Sequence, residues 1–360
     1  MAANLPLSIV VATRDSAATL DRALSAILAS ELPRATYELI VVDDASIDAS
    51  AIVAARYADT VVRLSGSPTG PGYARNRGAE VSSGDIVAFV DPDVLVLPDT
   101  LPRMLRTLAA HPRLDAISAS RNATSAAANL VSRYWNLLIS FGEQRQLNRA
   151  VHLVSDCTAI RRNALVSAGM YDEWRFLSGG LEGIDLGIRL LKKGAGVMLS
   201  HDLQITHLKC WTLGALLREA WCRSVLLARS LGYQRTRTAA PSEVVVTLSE
   251  PMSPPLAVVG TVALTSAFVA DPYWLTIGAV AAGVAILINL PIYTFFARAR
   301  SVAFAVAATP LHLLVQSIVG VGLCTGWVLR DVFGAPPQDA TTQAYAEVGV
   351  EIWPPIRRQS

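Results

Sequence analysis

The sequence is poor in charge. Asp, Glu, Lys and Arg make up only 17% of its 360 residues, whereas an average globular chain contains about 25%. The deficit is concentrated in residues 256–329, whose only formal charges are Asp271, Arg298 and Arg300. This pattern excludes a purely soluble protein, and it excludes disorder because disorder requires low hydrophobicity and high net charge. The formal net charge of +2 gives no case for a nucleic-acid partner.

Organised cysteines and export signals are also missing. The four cysteines, Cys157, Cys210, Cys222 and Cys324, have neither CxxC nor Cys/His zinc spacing. The first apolar run, residues 5–12, has no basic region before it, and charged residues follow it where a signal peptide has small ones. We therefore expect free thiols in a reducing compartment and an N-terminal half that stays in the cytoplasm.

Two nucleotide-binding fingerprints are absent. The sequence contains no GxxxxGK[ST] segment, which excludes a P-loop NTPase. Thr13-Arg14-Asp15 follows the first apolar run, where a dinucleotide-binding fold has a glycine-rich turn. Gly70-Pro71-Gly72 lies much later and lacks the third glycine of the G-x-G-x-x-G motif. An NAD-dependent dehydrogenase is therefore disfavoured.

What is present is an alternation of short apolar runs with helical patterns, which is typical of a parallel sheet wrapped by helices. Strands are predicted over residues 7–12, 39–42, 60–64 and 86–90. Helices are predicted over residues 18–28, 49–57 and 73–81. The fold class is therefore α/β, with the order β-α-β-α-β-α-β and a mostly parallel sheet that has helices on both faces.

The apolar C-terminal part predicts about three transmembrane helices, near residues 256–270, 273–297 and 302–329. A bilayer core requires about 20 apolar residues per helix. Arg298 and Arg300 lie between the second and third stretches, so the positive-inside rule places that loop in the cytoplasm. The expected localisation is the cell membrane, as a multi-pass protein whose N-terminal domain is cytoplasmic.

One further helix is predicted over residues 212–232, between the two parts. It carries Arg218, Arg223, Arg229 and Trp221, a composition that suits an anionic membrane surface. The alternative is that this helix packs against the sheet and that its arginines are exposed to solvent. The predicted organisation is a domain over residues 1–232, a linker over 233–255, a membrane domain over 256–330 and a tail over 331–360.

Acidic residues follow two of the predicted strands. Asp91-Pro92-Asp93 comes directly after residues 86–90, and Asp43-Asp44 ends the run 39–42. The carboxyl edge of a parallel sheet is where ligands bind. Two carboxylates there suit Mg²⁺ or Mn²⁺ bound to phosphate oxygens. Asp43 and Asp44 suit hydrogen bonds to a ribose hydroxyl or a base N–H, and an ordinary acidic loop is the alternative for both motifs.

Six segments together resemble the family 2 glycosyltransferases, which have the GT-A fold and invert the configuration of the sugar they transfer. The segments are residues 8–13 (SIVVAT), 41–48 (VVDDASID), 74–78 (ARNRG), 84–93 (GDIVAFVDPD), 169–173 (GMYDE) and 182–186 (EGIDL). The resemblance covers roughly residues 5–232 and leaves the apolar part outside. It implies that Thr13, Asp44 and Arg75 contact the nucleotide of a UDP- or GDP-sugar and that Asp91 and Asp93 form the metal-binding DxD motif.

The sequence departs from this family at the catalytic base. The family has a Glu-Asp pair, whereas Gly183 follows Glu182 here. Glu182 and Asp185 remain, and their i, i+3 spacing places them near the same face of a helix predicted over residues 182–192. Either carboxylate suits the role of base, although Asp185 also stands four residues before Arg189, as in an intrahelical ion pair.

Several assignments stay open at this point. His207, at the end of a strand predicted from residue 197, suits either a third metal ligand or a histidine satisfied by backbone. His312 is expected to form a hydrogen bond between helices. Residues 119–149 are the expected acceptor region, with Tyr134, Trp135 and Phe141 mostly in the core.

The resulting expectation is a metal-dependent glycosyltransferase acting at the cytoplasmic face of the membrane. Its acceptor would be a polyprenyl phosphate, a lipid-linked saccharide or a glycolipid, because the membrane segments imply a membrane-resident substrate. The alternatives are a polymerising polysaccharide synthase and a non-catalytic membrane protein that binds a nucleotide sugar or a partner.

Overall fold

The computed structural model describes residues 7–145, 156–173, 181–235, 253–269, 271, 273–333 and 350–353. These residues belong to two compact units. The first is formed by residues 1–122, 146–209 and 337–360, and the second by residues 123–145 and 210–336. The helix predicted over residues 212–232 therefore groups with the apolar C-terminal part, although the predicted domain boundary lies at residue 232. Most of the predicted linker and tail lies outside the described residues.

A mixed sheet forms the centre of the first unit. Its order is β5-β8-β6-β7-β4-β1-β2-β3-β9 among the described strands. The strands are β1 (Leu7–Thr13), β2 (Tyr37–Asp44), β3 (Thr60–Leu64), β4 (Ile86–Val90), β5 (Val94–Val96), β6 (Leu114–Arg121), β7 (Cys157–Arg161), β8 (Gly196–His207) and β9 (Val350–Trp353). The first four strands are parallel, as predicted. β7 runs antiparallel to β4 and β6, so the sheet is mixed.

Helices cover both faces of this sheet, which confirms the sequence prediction. Those of the first unit are α1 (Ala17–Leu28), α2 (Ser50–Ala54), α3 (Pro71–Val81), α4 (Thr100–Ala110), α6 (Arg162–Ser167) and α7 (Glu182–Lys192). Residues Leu7, Ile9 and Val11 of β1 pack with α1 and α4 in one apolar core. Val10 points the other way, into a second core with α3 and α7. This alternation explains why β1 is a continuous apolar run.

The second unit is helical. It contains α5 (Leu130–Arg145), α8 (Leu213–Arg235), α9 (Ser253–Val269), α10 (Tyr273–Ile288), α11 (Leu290–Ala299) and α12 (Val302–Phe333). α8 lies against α12 at very short range, because a Cβ added at Gly326 would stand 2.4 Å from the carbonyl oxygen of Val225. The helix predicted over residues 212–232 thus packs on another helix of the same unit.

Hydrogen bonds between buried polar groups tie these helices together. The Tyr134 hydroxyl and His312 Nδ1 are 2.9 Å apart, which confirms His312 as a helix-to-helix partner. The Asn289 amide donates to Ser253 Oγ at 2.6 Å. Tyr134 and Trp135 are buried in the core of this unit, as expected.

The prediction of three membrane-spanning helices is not supported. Within the described residues, α12 is the one helix long and apolar enough to cross a bilayer. α9 has only 17 residues. The predicted second span is interrupted at Asn289, where α10 and α11 meet with a bend of 61° and together pass the same test only as a broken span. Composition alone suggested a continuous helix, but Pro291 opens a new one at its second position.

Gly78 tests the packing of α3 on the sheet. A Cβ at this position would stand 2.3 Å from Cγ1 of Val10 and 3.0 Å from Cγ2 of Val42. Gly78→Ala should therefore lower the free energy of unfolding by about 1–3 kcal/mol, the usual cost of overpacking a core. The measurement is thermal denaturation of the purified protein. Gly214→Ala on α8 is the control, since a Cβ there meets nothing within 4 Å and alanine favours helix; equal loss in both variants would contradict this packing.

Candidate active site

The functional residues predicted from the sequence gather at the carboxyl edge of the sheet. Thr13, the last residue of β1, is paired in register with Asp43 of β2. Asp91 directly follows β4, which is the other neighbour of β1. The side-chain oxygen of Thr13 is buried and has no hydrogen-bond partner within the described residues. This edge is therefore built to receive a polar ligand, because buried polar groups are otherwise almost always paired.

The loops after β1 and β2 are held in strained conformations. Asp15 and Ala45 have φ values of 46° and 54°, in the left-handed region that L-residues rarely adopt. The two loops brace each other, since the Ile47 N–H donates to the Asp15 carboxylate at 2.9 Å and the Ala17 N–H donates to the Asp48 carboxylate at 3.0 Å. Such strain persists only where the surroundings fix it, and it is frequent at functional sites.

Asp43 and Asp44 have different environments. Asp44 accepts hydrogen bonds from the Thr69 N–H at 2.8 Å and the Gly70 N–H at 2.9 Å, using both carboxylate oxygens. It therefore fixes the turn before α3, where Gly70 has a φ of 95°. Asp43 lies 3.4 Å from Arg63, and burial raises the pKa of its carboxyl above the ordinary value.

The DxD motif forms a turn between β4 and β5, held by backbone hydrogen bonds on both sides. The Asp91 N–H donates to the Asp156 carbonyl at 2.9 Å, and the Leu208 N–H donates to the Asp93 carbonyl at 2.7 Å. Both carboxylates remain about one-fifth exposed, so a ligand can reach them. Burial and the charges of Asp91 and Asp156 together raise the pKa of Asp93 to about 7.

Arg75 joins the DxD motif to the candidate base. Its guanidinium donates to Asp91 at 2.7 Å through Nη2 and to Glu182 at 2.8 Å through Nη1. Burial alone would lower the pKa of Arg75, but the carboxylates of Asp91 and Glu182 outweigh that effect and raise it. Arg75 is therefore a charged bridge inside the site.

Glu182 and Asp185 differ in what they already bind. Glu182 is buried at the N-terminus of α7, with Oε1 bound to Arg75 and with Oε2 unpartnered among the described residues. Asp185 accepts from Arg189 Nε at 2.7 Å, the ion pair that its spacing indicated. Of these two carboxylates, Glu182 is the one with a buried oxygen that has no hydrogen-bond partner among the described residues.

The His207 ring already accepts one hydrogen bond, at Nδ1. The Lys209 N–H donates to Nδ1 at 3.2 Å, so the neutral ring carries its proton on Nε2. Nε2 faces the Asp93 carboxylate at 3.5 Å. His207 therefore lies beside the DxD motif, and its role as a third metal ligand stays a prediction.

The donor set suits a divalent cation held jointly with a substrate. Within the described part of the chain, no group of three or more His, Cys, Asp or Glu side chains is arranged to hold a metal ion. Mg²⁺ is commonly bound by one or two carboxylates together with substrate phosphates and water. Asp91 and Asp93 fit that arrangement, since both carboxylates remain partly exposed at the carboxyl edge of the sheet.

Two residues of the site carry no sequence signal. Asp156 immediately precedes β7, and its carboxylate forms an ion pair with Arg121 at the end of β6. Both lie beside the DxD motif only because β7 pairs antiparallel with β4 and β6. Local sequence patterns do not predict that Asp156 and Arg121 belong to the site, because neither segment encodes which distant strand it pairs with.

Comparison with known proteins agrees with this arrangement. The sequence model described as "Glycosyl transferase family 2" matches residues 8–168. Residues 8–168 are therefore similar to a family 2 glycosyltransferase domain. The succinoglycan biosynthesis protein ExoO of Rhizobium meliloti is 42% identical over 115 residues, 31% of this chain and 31% of that protein. The glycosyltransferase AglE of Haloferax volcanii is 30% identical over 114 residues, 30% of this chain and 38% of that protein. The matched segment thus spans about a third of these relatives.

A solved structure confirms the fold of the family 2 domain. The mannosyltransferase PcManGT of Pyrobaculum calidifontis superimposes with a TM-score of 0.57 at 18% identity, covering 90% of this chain and 87% of that one. The GT-A fold expected from the sequence resemblance is therefore correct.

Proposed function

We propose that the protein transfers a sugar, with inversion, from a UDP- or GDP-sugar to a hydroxyl group of a membrane-resident acceptor. The observation that carries this proposal is the Arg75 bridge, which joins the Glu182 carboxylate to the DxD motif while Oε2 has no hydrogen-bond partner among the described residues. A carboxylate poised in this way is the group that takes a proton from an attacking hydroxyl. The relative in Rhizobium meliloti is named for succinoglycan biosynthesis, which supports a saccharide product.

The chemistry divides between the two ends of the bridge. Glu182 Oε2 accepts the acceptor proton while the acceptor oxygen forms its bond to the anomeric carbon. The bond from that carbon to the nucleotide diphosphate breaks, and negative charge develops on the leaving diphosphate. Asp91 and Asp93 would hold Mg²⁺ or Mn²⁺, which when bound stabilises this charge. The structural neighbour PcManGT was solved with GDP-Man and Mn²⁺.

The membrane enters the proposal through α12. Its 32 residues are long and apolar enough to cross a bilayer. Arg298 and Arg300 lie just before it, so the positive-inside rule assigns that end to the cytoplasm. We place the family 2 domain on the same cytoplasmic side, where nucleotide sugars are available to it, and we place the acceptor in the membrane.

The direct test is product formation. Purified full-length protein in lipid nanodiscs would be incubated with Mn²⁺ and a panel of UDP- and GDP-sugars, using membrane lipid extract as acceptor. Mass spectrometry should detect a lipid whose mass is increased by one sugar residue. Donor binding without any product would instead support a non-catalytic nucleotide-sugar-binding protein.

Metal dependence follows from Asp93. Asp93→Asn keeps the size of the side chain but removes one of the two metal-binding charges, so transfer should fall to background at any Mn²⁺ concentration. Asp99→Asn is a suitable control, because the Asp99 side chain is partly exposed and, among the described residues, forms its ion pair with Arg103, four residues further along the chain. Initial rates across a Mn²⁺ titration provide the measurement. Full activity in EDTA would disprove the assignment of the DxD motif.

The role of Glu182 can be separated from that of Asp185. Glu182→Gln preserves packing but removes the base, so kcat should fall about 10²- to 10⁴-fold with donor affinity retained. Asp185→Asn should lower kcat little, since Arg189 keeps its bonds to the carbonyls of Ala168 and Met170. A normal kcat for Glu182→Gln would point to a phosphate acceptor, which is ionised at neutral pH and needs no base.

A further inference from the structure

The turn that precedes Glu182 along the chain is held in an unusual conformation next to Arg75. Gly169 and Met170 have φ values of 81° and 57°, which turn the chain sharply before Tyr171. The Tyr171 ring is buried and meets Phe89 of β4 edge-on, with the ring centroids 5.1 Å apart. The guanidinium carbon of Arg75 lies 5.4 Å from the centroid of the Tyr171 ring, within cation–π range.

Asn76 fastens this turn to α3. Its amide nitrogen donates to the Tyr171 carbonyl at 3.0 Å and to Glu173 at 2.7 Å, and its amide oxygen accepts from the Tyr171 N–H at 3.0 Å. Both backbone groups of Tyr171 are therefore satisfied by a single side chain. Asn76 anchors Tyr171, and Arg75 lies over the Tyr171 ring. Because Arg75 and Asn76 are consecutive residues of α3, their backbone positions are fixed together.

Arg189 of α7 holds the same turn from the other side. Its Nη1 donates to the carbonyls of Ala168 and Met170, at 2.5 and 2.6 Å. The turn is thus fixed to both helices that supply the ends of the Arg75–Glu182 contact. Nothing in the nucleotide or metal chemistry requires these bonds, so they call for a separate explanation.

We infer that Tyr171, anchored by Asn76, is a positioning residue for sugar transfer: its ring supports the Arg75 guanidinium in the place where it bridges Asp91 and Glu182. This inference rests on the proposed function. Arg75 has four rotatable side-chain bonds, and its two hydrogen bonds alone leave the ring-facing side of the guanidinium without a contact. The Tyr171 ring fills that side and thereby fixes the direction of Glu182 Oε2.

The inference predicts a specific kinetic pattern. Tyr171→Leu removes the ring and should lower kcat about 2- to 30-fold, the range of a cation–π contact. The donor KM should rise in the same variant, because Arg75 also pairs with Asp91 and is expected from the family resemblance to contact the nucleotide. Tyr171→Phe restores the ring and should restore kcat. Leu also leaves a cavity that Phe does not, so each kcat is normalised to the folded fraction of the variant measured by thermal denaturation.

Two further variants complete the experiment. Tyr57→Leu is the control, because Tyr57 follows α2 at the opposite edge of the sheet and bonds to Asp21 and Ser25. Asn76→Asp serves if Tyr171→Leu does not fold, since it keeps the side-chain shape, loses the amide donors and should lower kcat in the same way. Unchanged kcat in Tyr171→Leu, or a loss of kcat that Phe does not restore, would overturn the inference while leaving the proposed function intact.

A structural readout separates the two hypotheses. Crystal structures of Tyr171→Leu and Tyr171→Phe should show Arg75 bound to both Asp91 and Glu182 in the Phe variant, and detached from at least one of them in the Leu variant. An intact bridge in the Leu variant would overturn the inference regardless of activity. Absence of turnover by the unmutated protein would count against the proposed function, and the two crystal structures would still decide the role of Tyr171.

Discussion

The bridge made by Arg75 is the interaction on which the site depends. Three charged side chains, Arg75, Asp91 and Glu182, meet where water is largely excluded, and removing one partner of a buried ion pair typically costs about 3–5 kcal/mol. Arg75 binds one oxygen of Glu182, and the other oxygen has no hydrogen-bond partner in the part of the chain that the structure describes. The same contact thus organises the proposed metal side and the proposed base side of the reaction.

The architecture around the bridge explains how a flexible arginine is confined. Asp44 fixes the turn that directly precedes α3. Because Arg75 lies in the first part of α3, this turn fixes the position of its backbone. Gly78 allows the same helix to approach β1 and β2 closely. The sheet itself then sets the positions of Thr13, Asp43 and Asp91, because they end neighbouring strands. The candidate site residues are therefore located by rigid elements, which hold geometry better than loops do.

The helical unit follows a different physical rule. Its surface and interior are both apolar, so burial of apolar groups cannot by itself specify how the helices pair. Close backbone contact at Gly326 and hydrogen bonds such as that between Tyr134 and His312 provide the specificity, as in helix packing within membranes. The bend at Asn289 belongs to the same set of features, since that side chain bonds to Ser253 of α9.

The sequence by itself determined the local features. Apolar runs bounded by helical patterns predicted the parallel core and both helix layers, and acidic residues placed directly after strands predicted the ligand-binding edge. The i, i+4 spacing of Asp185 and Arg189 predicted their ion pair. Tertiary structure decided which distant groups meet: the Arg75 bridge, the approach of Asp156 and Arg121 to the DxD motif, and the contact of His207 with Asp93. These features depend on pairings between segments far apart in the chain, and the spacing of residues within one segment does not encode its partner.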